Sequence, residues 1–405
     1  MPVSTWVEVD LDRFAGNLRA IRARVGPGCG LLLVAKADAY GHGAREIAAA
    51  AERAEVACLG VATLHEGLQL RLAGCRLPTM AMSPLLDSEI PDAVAQEIDP
   101  TLGDAAFARA LSAEAVRTRR AVRCHVEVDT GMGRTGVREE GAEALVAEVS
   151  ALPGLRLASV YTHFPDADGA DLAFARAQVE RFRALVARLE ARGLRPPRVH
   201  AANSAGTVNL PEAHLDWVRV GLLAYGLHPP ADAAAMPLAP VMSLRSRLVQ
   251  VRALPAGAPV SYGRTFTTAR PTRLGVVPVG YGHGYSWLLS NRGQMLAGGR
   301  RVPIVGRVTM DLTLLDLTDL PAAEVGDEVV LFGEQAGATL PVEEVARWSE
   351  TIPYEVMCTL GKRVPRVYRE GGAVVRMTTL VGERAAWTAG AAEYVRRRDA
   401  APARA

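Results

Sequence analysis

Residues 30–62 read GLLLVAKADAYGHGAREIAAAAERAEVACLGVA. An apolar run through Ala35 leads into a polar, glycine-containing turn. AREIAAAAERA follows, with apolar residues at helical spacing, and a second apolar run closes at Ala62. Strand, helix and strand in this order make a β–α–β unit, and runs that are apolar on both faces mark strands of a buried parallel sheet. The alternation continues through PTMAMS, IDPTL, VRCHVEVD, LASVYTH, RVHAAN and WVRVGLL, separated by helical stretches such as AFARAQVERFRALVARLEARG. Eight repeats predict an α/β fold, a (β/α)8 TIM barrel over residues 12–232, with a doubly wound open sheet as the weaker alternative.

Past Pro229 the texture changes. PADAAAMPLAP reads as a linker, and short Val/Leu runs punctuated by Gly and Pro (VMSLRSRLVQV, LGVVPVGY, DEVVLFG) predict a mostly-β C-terminal domain over residues 233–368. WVEVDL, within residues 1–11, lies outside the eight repeats and is expected to join that β domain as a strand. Residues 369–405 are expected to be a helical or partly disordered extension whose charges form a solvated face.

The 405 residues suit two or three domains of roughly 150 each. A formal charge of +2, with no basic run interleaved with aromatics, argues against a nucleic-acid partner. Glu8, Asp10 and Asp12 fall where a secretory signal needs an apolar core, and no apolar run reaches the ~18 residues of a membrane span. The five scattered cysteines contain no Cys-x-x-Cys pair, which points to a reducing cytoplasm and to no metal site.

Catalytic groups of such a barrel sit at the C-terminal ends of its strands. Those ends carry Lys36, the run Asp129 to Arg134, His163, and Asn203 with Ser204, while Arg219 lies inside the eighth run. Of the 46 basic residues only Lys36 and Lys362 are lysine. A lysine behind a fully apolar strand is costly to charge, which frees its amine for Schiff-base formation or proton abstraction; the plain alternative is a snorkelling surface lysine. Ser204 opens a helix, where a phosphate or a simple N-cap would both fit. His163 could stack on a flat ring or be an ordinary core histidine. Arg219 in an apolar strand stays charged and requires a partner, such as a ring nitrogen or an anion.

VAKADAYGHG, VEVDTGMGRTGV, YTHF, HAANSAG, VRVGLLAYGL, VSYGRTF, VGYGHGY, VGRVTMD and TIPYEV with RVPRVY, in this order between about residues 6 and 368, resemble the signature blocks of alanine racemases. The resemblance implies an isomerase that uses pyridoxal 5'-phosphate to interconvert L- and D-alanine for peptidoglycan, as a cytoplasmic homodimer whose active sites are shared between subunits. Lys36 would hold the cofactor and act as one base, and Tyr262 from the other subunit would be the second. Tyr40, Ser204 and Tyr354, with the backbone of Gly221 and Leu222, would hold the phosphate. His163 would pack on the pyridine ring and Arg219 would face its nitrogen. Arg134 and the Met310 amide would bind the substrate carboxylate, with Tyr281 narrowing the entrance and Asp311 in a supporting role.

Three positions depart from the family pattern. Glu127 stands where many members have a lysine that becomes a carbamate, so its fixed negative charge is expected to pair with Arg134. Thr309 replaces a frequent cysteine, and His283 a frequent aspartate. A racemase of serine or of broad specificity, a basic amino-acid decarboxylase and a non-catalytic cofactor carrier are the competing readings. Arg219, instead of a carboxylate, counts against the decarboxylase, and the β domain with Tyr262 counts against the carrier.

Overall fold

The computed structural model describes residues 3–229 and 236–385. Among the described residues, 13–39, 44–229 and 236–239 make one compact unit, and 3–12, 40–43 and 240–385 make another.

In the first unit the strands Gly30–Val34, Cys58–Val61, Thr79–Ala81, Ile98–Leu102, Val122–Asp129, Leu155–Tyr161, Arg198–His200 and Trp217–Val220 form a parallel sheet. The first strand pairs with the eighth (Leu32 opposite Arg219) and the fourth with the fifth (Thr101 opposite His125), so the sheet closes on itself as a barrel. Leu32, Leu33, Leu59, Met80, Leu102, Val126 and Val160 are fully buried, the burial that near-continuous apolar runs foretell. Local chemistry fixes where helices begin. The Thr63 hydroxyl accepts from Glu66 N–H and the Glu66 carboxylate answers to Thr63 N–H, a capping box that opens the helix Leu64–Leu72. Asp104 caps the helix Ala105–Thr118 through Phe107 N–H, and Asn203 caps Ser204–Asn209 through Gly206 N–H. The expected linker overlaps residues 230–235, which lie outside the described residues.

The second unit is built around a nine-stranded sheet. The strand Thr5–Asp10 lies in it, antiparallel to Met242–Arg247 and parallel to Arg366–Glu370. Gln250–Leu254, Thr272–Val277 and Thr313–Asp316 form a separate three-stranded sheet. Where a helix was one expectation after Tyr368, the chain makes strands instead: Ala373–Thr379 pairs back on Arg366–Glu370 and then with Gly382–Ala385. AVVRMTT is rich in β-branched residues, and across a shift of register opposite Tyr368 and Arg369 its Val374 and Met377 both pack with Trp6 and Val367, so strand pairing gives this apolar surface a place to bury. Residues 386–405 lie outside the described residues.

Candidate active site

Lys36 follows the first barrel strand by two residues and is half-buried. The backbone behind it is strained. Ala37, Asp38, Ala39 and Tyr40 all have φ of 52–54°, a left-handed turn that costs non-glycine residues roughly 1–2 kcal/mol each. Two carboxylates offset that cost: Glu66 Oε1 accepts from Ala37 N–H at 2.7 Å, and Asp38 Oδ1 from Ala44 N–H at 2.8 Å. Glu66 thus caps one helix and fixes the turn behind Lys36. TLHE has the spacing of a capping box, a signal for the helix start but not for the reach to residue 37.

At the end of the fifth strand, Asp129 Oδ1 accepts from the amides of Gly131, Met132 and Gly133 at 2.8–3.1 Å. Arg134 follows this turn and is exposed, with its charge still felt by His163 and Arg219. Burial raises the Asp129 carboxyl, but these three amides together with the charge of Arg138 outweigh it and the net shift is downward. The expected Glu127–Arg134 pair does not form. Glu127 is 4% exposed, and its carboxylate accepts from the Thr135 hydroxyl at 2.8 Å. The Asp129-bound turn delivers Thr135, not Arg134, to that carboxylate.

Arg219 is 1% exposed in the eighth strand. Its terminal nitrogens reach Nδ1 of His200 at 2.9 Å, Nδ1 of His163 at 3.0 Å, and the carbonyls of Thr162 and Ala201 at 2.8 and 2.9 Å. Burial pulls the guanidinium down to about 10, against the pull of Tyr161 and Glu127, so it remains charged at neutral pH. Burial, then Arg219, Arg134 and Lys36, hold His163 well below 6.5 and therefore neutral. Among the described residues nothing accepts from Arg219 Nε, a buried donor left without a partner. Ser204, at the start of its helix, accepts from Gly221 N–H at 3.1 Å. A hydroxyl and the Gly221–Leu223 backbone are thereby brought together. His200 and Glu66 are the functional neighbours that the sequence reading passed over; a histidine one strand away from a buried arginine was the available signal for the first.

In the β unit, the rings of Tyr40 and Tyr354 lie 5.7 Å apart, and burial pushes the Tyr40 phenol up. Tyr262 is 72% exposed, beside Ser261 at φ 64°, whose hydroxyl donates to the Arg307 carbonyl at 2.8 Å. Tyr281 N–H donates to Thr309 O, Gly282 N–H to Met310 O, and Arg363 pairs with Asp311 at 2.8 Å. His283 Nδ1 accepts from Gly280 N–H and so braces the Tyr281 turn from within. Among the described residues no cluster of His, Cys, Asp or Glu could hold a metal ion.

A closed eight-stranded barrel with an amine behind its first strand and a charged guanidinium in its eighth defines a class: lysine-bearing barrel enzymes, here with an appended β unit. Residues 9–229 match the family model for the alanine racemase N-terminal domain, and residues 241–368 that for the C-terminal domain. The chain belongs to the alanine racemase family. It is 45% identical over 382 residues to an alanine racemase of Desulfosudis oleivorans, covering 91% of this chain and 98% of that one. Its fold matches an alanine racemase of Clostridium difficile 630 with a TM-score of 0.89 at 31% identity, covering 94% and 99% of the two chains. It also matches an alanine racemase of Bartonella henselae with covalently bound pyridoxal phosphate, TM-score 0.82 at 28% identity, covering 91% and 100%.

Proposed function

We propose that this chain interconverts L- and D-alanine with pyridoxal phosphate, supplying D-alanine for peptidoglycan. The observation that carries the reading is Arg219, whose unpartnered Nε–H suits the lone pair of a pyridine nitrogen. When bound, the cofactor supplies an aldehyde that condenses with amines and a ring that takes up electron density when Cα loses its proton.

This chain's residues do the rest. Lys36 Nζ anchors the cofactor and exchanges a proton with one face of Cα. The partner subunit's Tyr262 exchanges it on the other face through Oη, as inversion requires a proton carrier on each side. The exposure of Tyr262, at 72%, and of Met310, at 52%, supports a role toward a second copy of the chain in a homodimer. Arg134 and the Met310 amide orient the substrate carboxylate, with Tyr281 at the entrance and Asp311 bracing Arg363 behind it. Ser204 and the amides of Gly221 and Leu222 hold the phosphate, a duty that family resemblance also assigns to Tyr40 and Tyr354. His163, neutral, packs on the ring without adding charge. Arg219 gives up its proton far less readily than a carboxylic acid, so it keeps the ring nitrogen unprotonated and restrains the ring as an electron sink. Five free cysteines support a cytoplasmic setting.

Purified protein with L-alanine in heavy water should yield D-alanine carrying deuterium at Cα. Carbon dioxide release would favour a decarboxylase, and an inert yellow protein a carrier.

A further inference from the structure

A file of buried polar side chains runs through the barrel interior from Arg219 to Asp99. Arg219 Nη1 lies 2.9 Å from His200 Nδ1, His200 Nε2 lies 2.9 Å from Ser159 Oγ, and Ser159 Oγ lies 2.6 Å from His125 Nδ1. His125 Nε2 then faces Asp99 Oδ2 at 3.7 Å, within charge contact but beyond hydrogen-bond reach. Asp99 is held from outside by Arg123 Nε at 3.0 Å. His125, Ser159, His200 and Arg219 are each at most 1% exposed and Asp99 is 4% exposed.

Donor and acceptor chemistry gives the file one direction. A guanidinium only donates, so His200 Nδ1 accepts. His200 is neutral, since burial and then Arg219 and His125 hold it well below 6.5, and its one N–H is therefore Nε2–H. That N–H donates to Ser159 Oγ. The serine hydrogen then goes to its other partner, His125 Nδ1, which leaves the His125 N–H on Nε2, toward the Asp99 carboxylate. Every N–H and O–H points away from Arg219 and toward the negative end. Successive bonds aligned in this way polarise one another and make His200 Nδ1 a better acceptor. The His200 ring also stacks on Tyr161 at 5.0 Å and 2° and meets Trp217, tilted by 34°, at 5.8 Å, contacts that hinder its rotation out of its own plane.

We propose that Ser159, His125 and Asp99 are positioning residues that, acting through His200, hold Arg219 in the orientation that presents Nε–H to the cofactor ring. The inference rests on the function proposed above. Without the serine hydroxyl, His200 would keep a buried N–H with no acceptor. It could relieve this only by moving the proton to Nδ1, against Arg219, or by turning away from it, and either weakens the Arg219–His200 bond.

The test is Ser159→Ala, an almost isosteric deletion, beside Ser112→Ala, which removes another hydroxyl of a buried serine whose bond goes to Pro153 O, outside the file. Slow solvent exchange of the Arg219 guanidinium hydrogens, read by nitrogen-15 NMR on the full-length holoenzyme, should become fast in Ser159→Ala and stay slow in Ser112→Ala. The turnover number should fall about tenfold in Ser159→Ala with KM for alanine little changed, the equivalent of one hydrogen bond. Asp99→Asn should move the Arg219 signals in the same direction. Unmoved Arg219 signals in Ser159→Ala, or equal movement in Ser112→Ala, would overturn the proposal, and unmoved signals in Asp99→Asn would overturn the part played by Asp99. The NMR readout does not depend on which amino acid is the substrate, so failure of the relay and failure of the proposed activity are seen separately.

Discussion

Arg219 donates to Nδ1 of His163 across 3.0 Å, and this contact ties acid stability to the site. His163 and His200 are both held well below 6.5, by burial first and by Arg219 next. Below pH 6.5 the unfolded chain protonates both imidazoles while the folded chain does not, so the unfolded state gains protons and stability falls with pH. It is fully present above that point. Each histidine contributes a slope approaching about 1.4 kcal/mol per pH unit. Urea unfolding between pH 7.5 and 5 should show the decline, and Arg219→Met, by removing a nearby positive charge, should make it shallower. A flat profile in the parent protein would contradict the reading.

Lys36→Ala should abolish racemisation, by at least about a thousandfold, because the same amine anchors the cofactor and carries a proton. Borohydride reduction of the parent holoenzyme followed by peptide mass analysis should place the pyridoxyl group on Lys36. Its appearance on Lys362, the other lysine, would refute the assignment.

Tyr262→Phe should lower racemisation by about 10²–10⁴-fold, the usual worth of a general acid–base group. Because only one face of Cα then retains a proton carrier, solvent deuterium should enter one alanine enantiomer and not the other. Equal exchange into both would show that Tyr262 does not serve a face.

Glu127→Gln keeps the shape but removes the carboxylate that accepts from Thr135 and that, after Tyr161, supports the charge on buried Arg219. The expected cost is about 1–3 kcal/mol of stability, with a lower kcat/KM. Unchanged unfolding and unchanged kinetics together would leave Glu127 with no part in the site.

The barrel was legible because its strands are apolar on both faces and its helices keep their period between them; Leu31–Val34 and Cys58–Val61 could hardly be read otherwise. Lys36 stood out by composition, and Arg219 by the cost of burying a guanidinium. What the sequence withheld was direction. Asp129 and Arg134 share a loop, yet nothing in DTGMGR says that three amides turn inward to the aspartate and that Thr135, not Arg134, meets the next carboxylate, so Glu127 was matched with the wrong neighbour. Likewise AVVRMTT needed Trp6, more than 360 positions away in the chain, to supply the apolar surface that makes it a strand. The left-handed turn was invisible for the opposite reason: Ala37, Ala39 and Tyr40 carry no local preference for it and are held there by Glu66 and Asp38.

That turn ends at Gly41, which tests how far the β unit depends on the segment. Gly41 has φ +79°, and a Cβ placed on it would sit 2.3 Å from the Met357 carbonyl oxygen, in the short helix Pro353–Cys358 that also bears Tyr354. Arg366 Nε donates to the Gly41 carbonyl at 3.2 Å, so the segment cannot retreat without breaking a bond to a buried arginine. Gly41→Ala must therefore either adopt an unfavourable φ against a backbone wall or displace the helix. The expected loss is about 2–4 kcal/mol, a positive-φ penalty plus the displacement. Moving the helix also moves Tyr354 relative to Tyr40, so cofactor retention on dialysis should weaken in step with thermal stability. A Gly41→Ala protein that unfolds at the parent's temperature and keeps its cofactor would mean that the wall at Met357 yields freely, and that the Tyr40–Tyr354 pair does not depend on it.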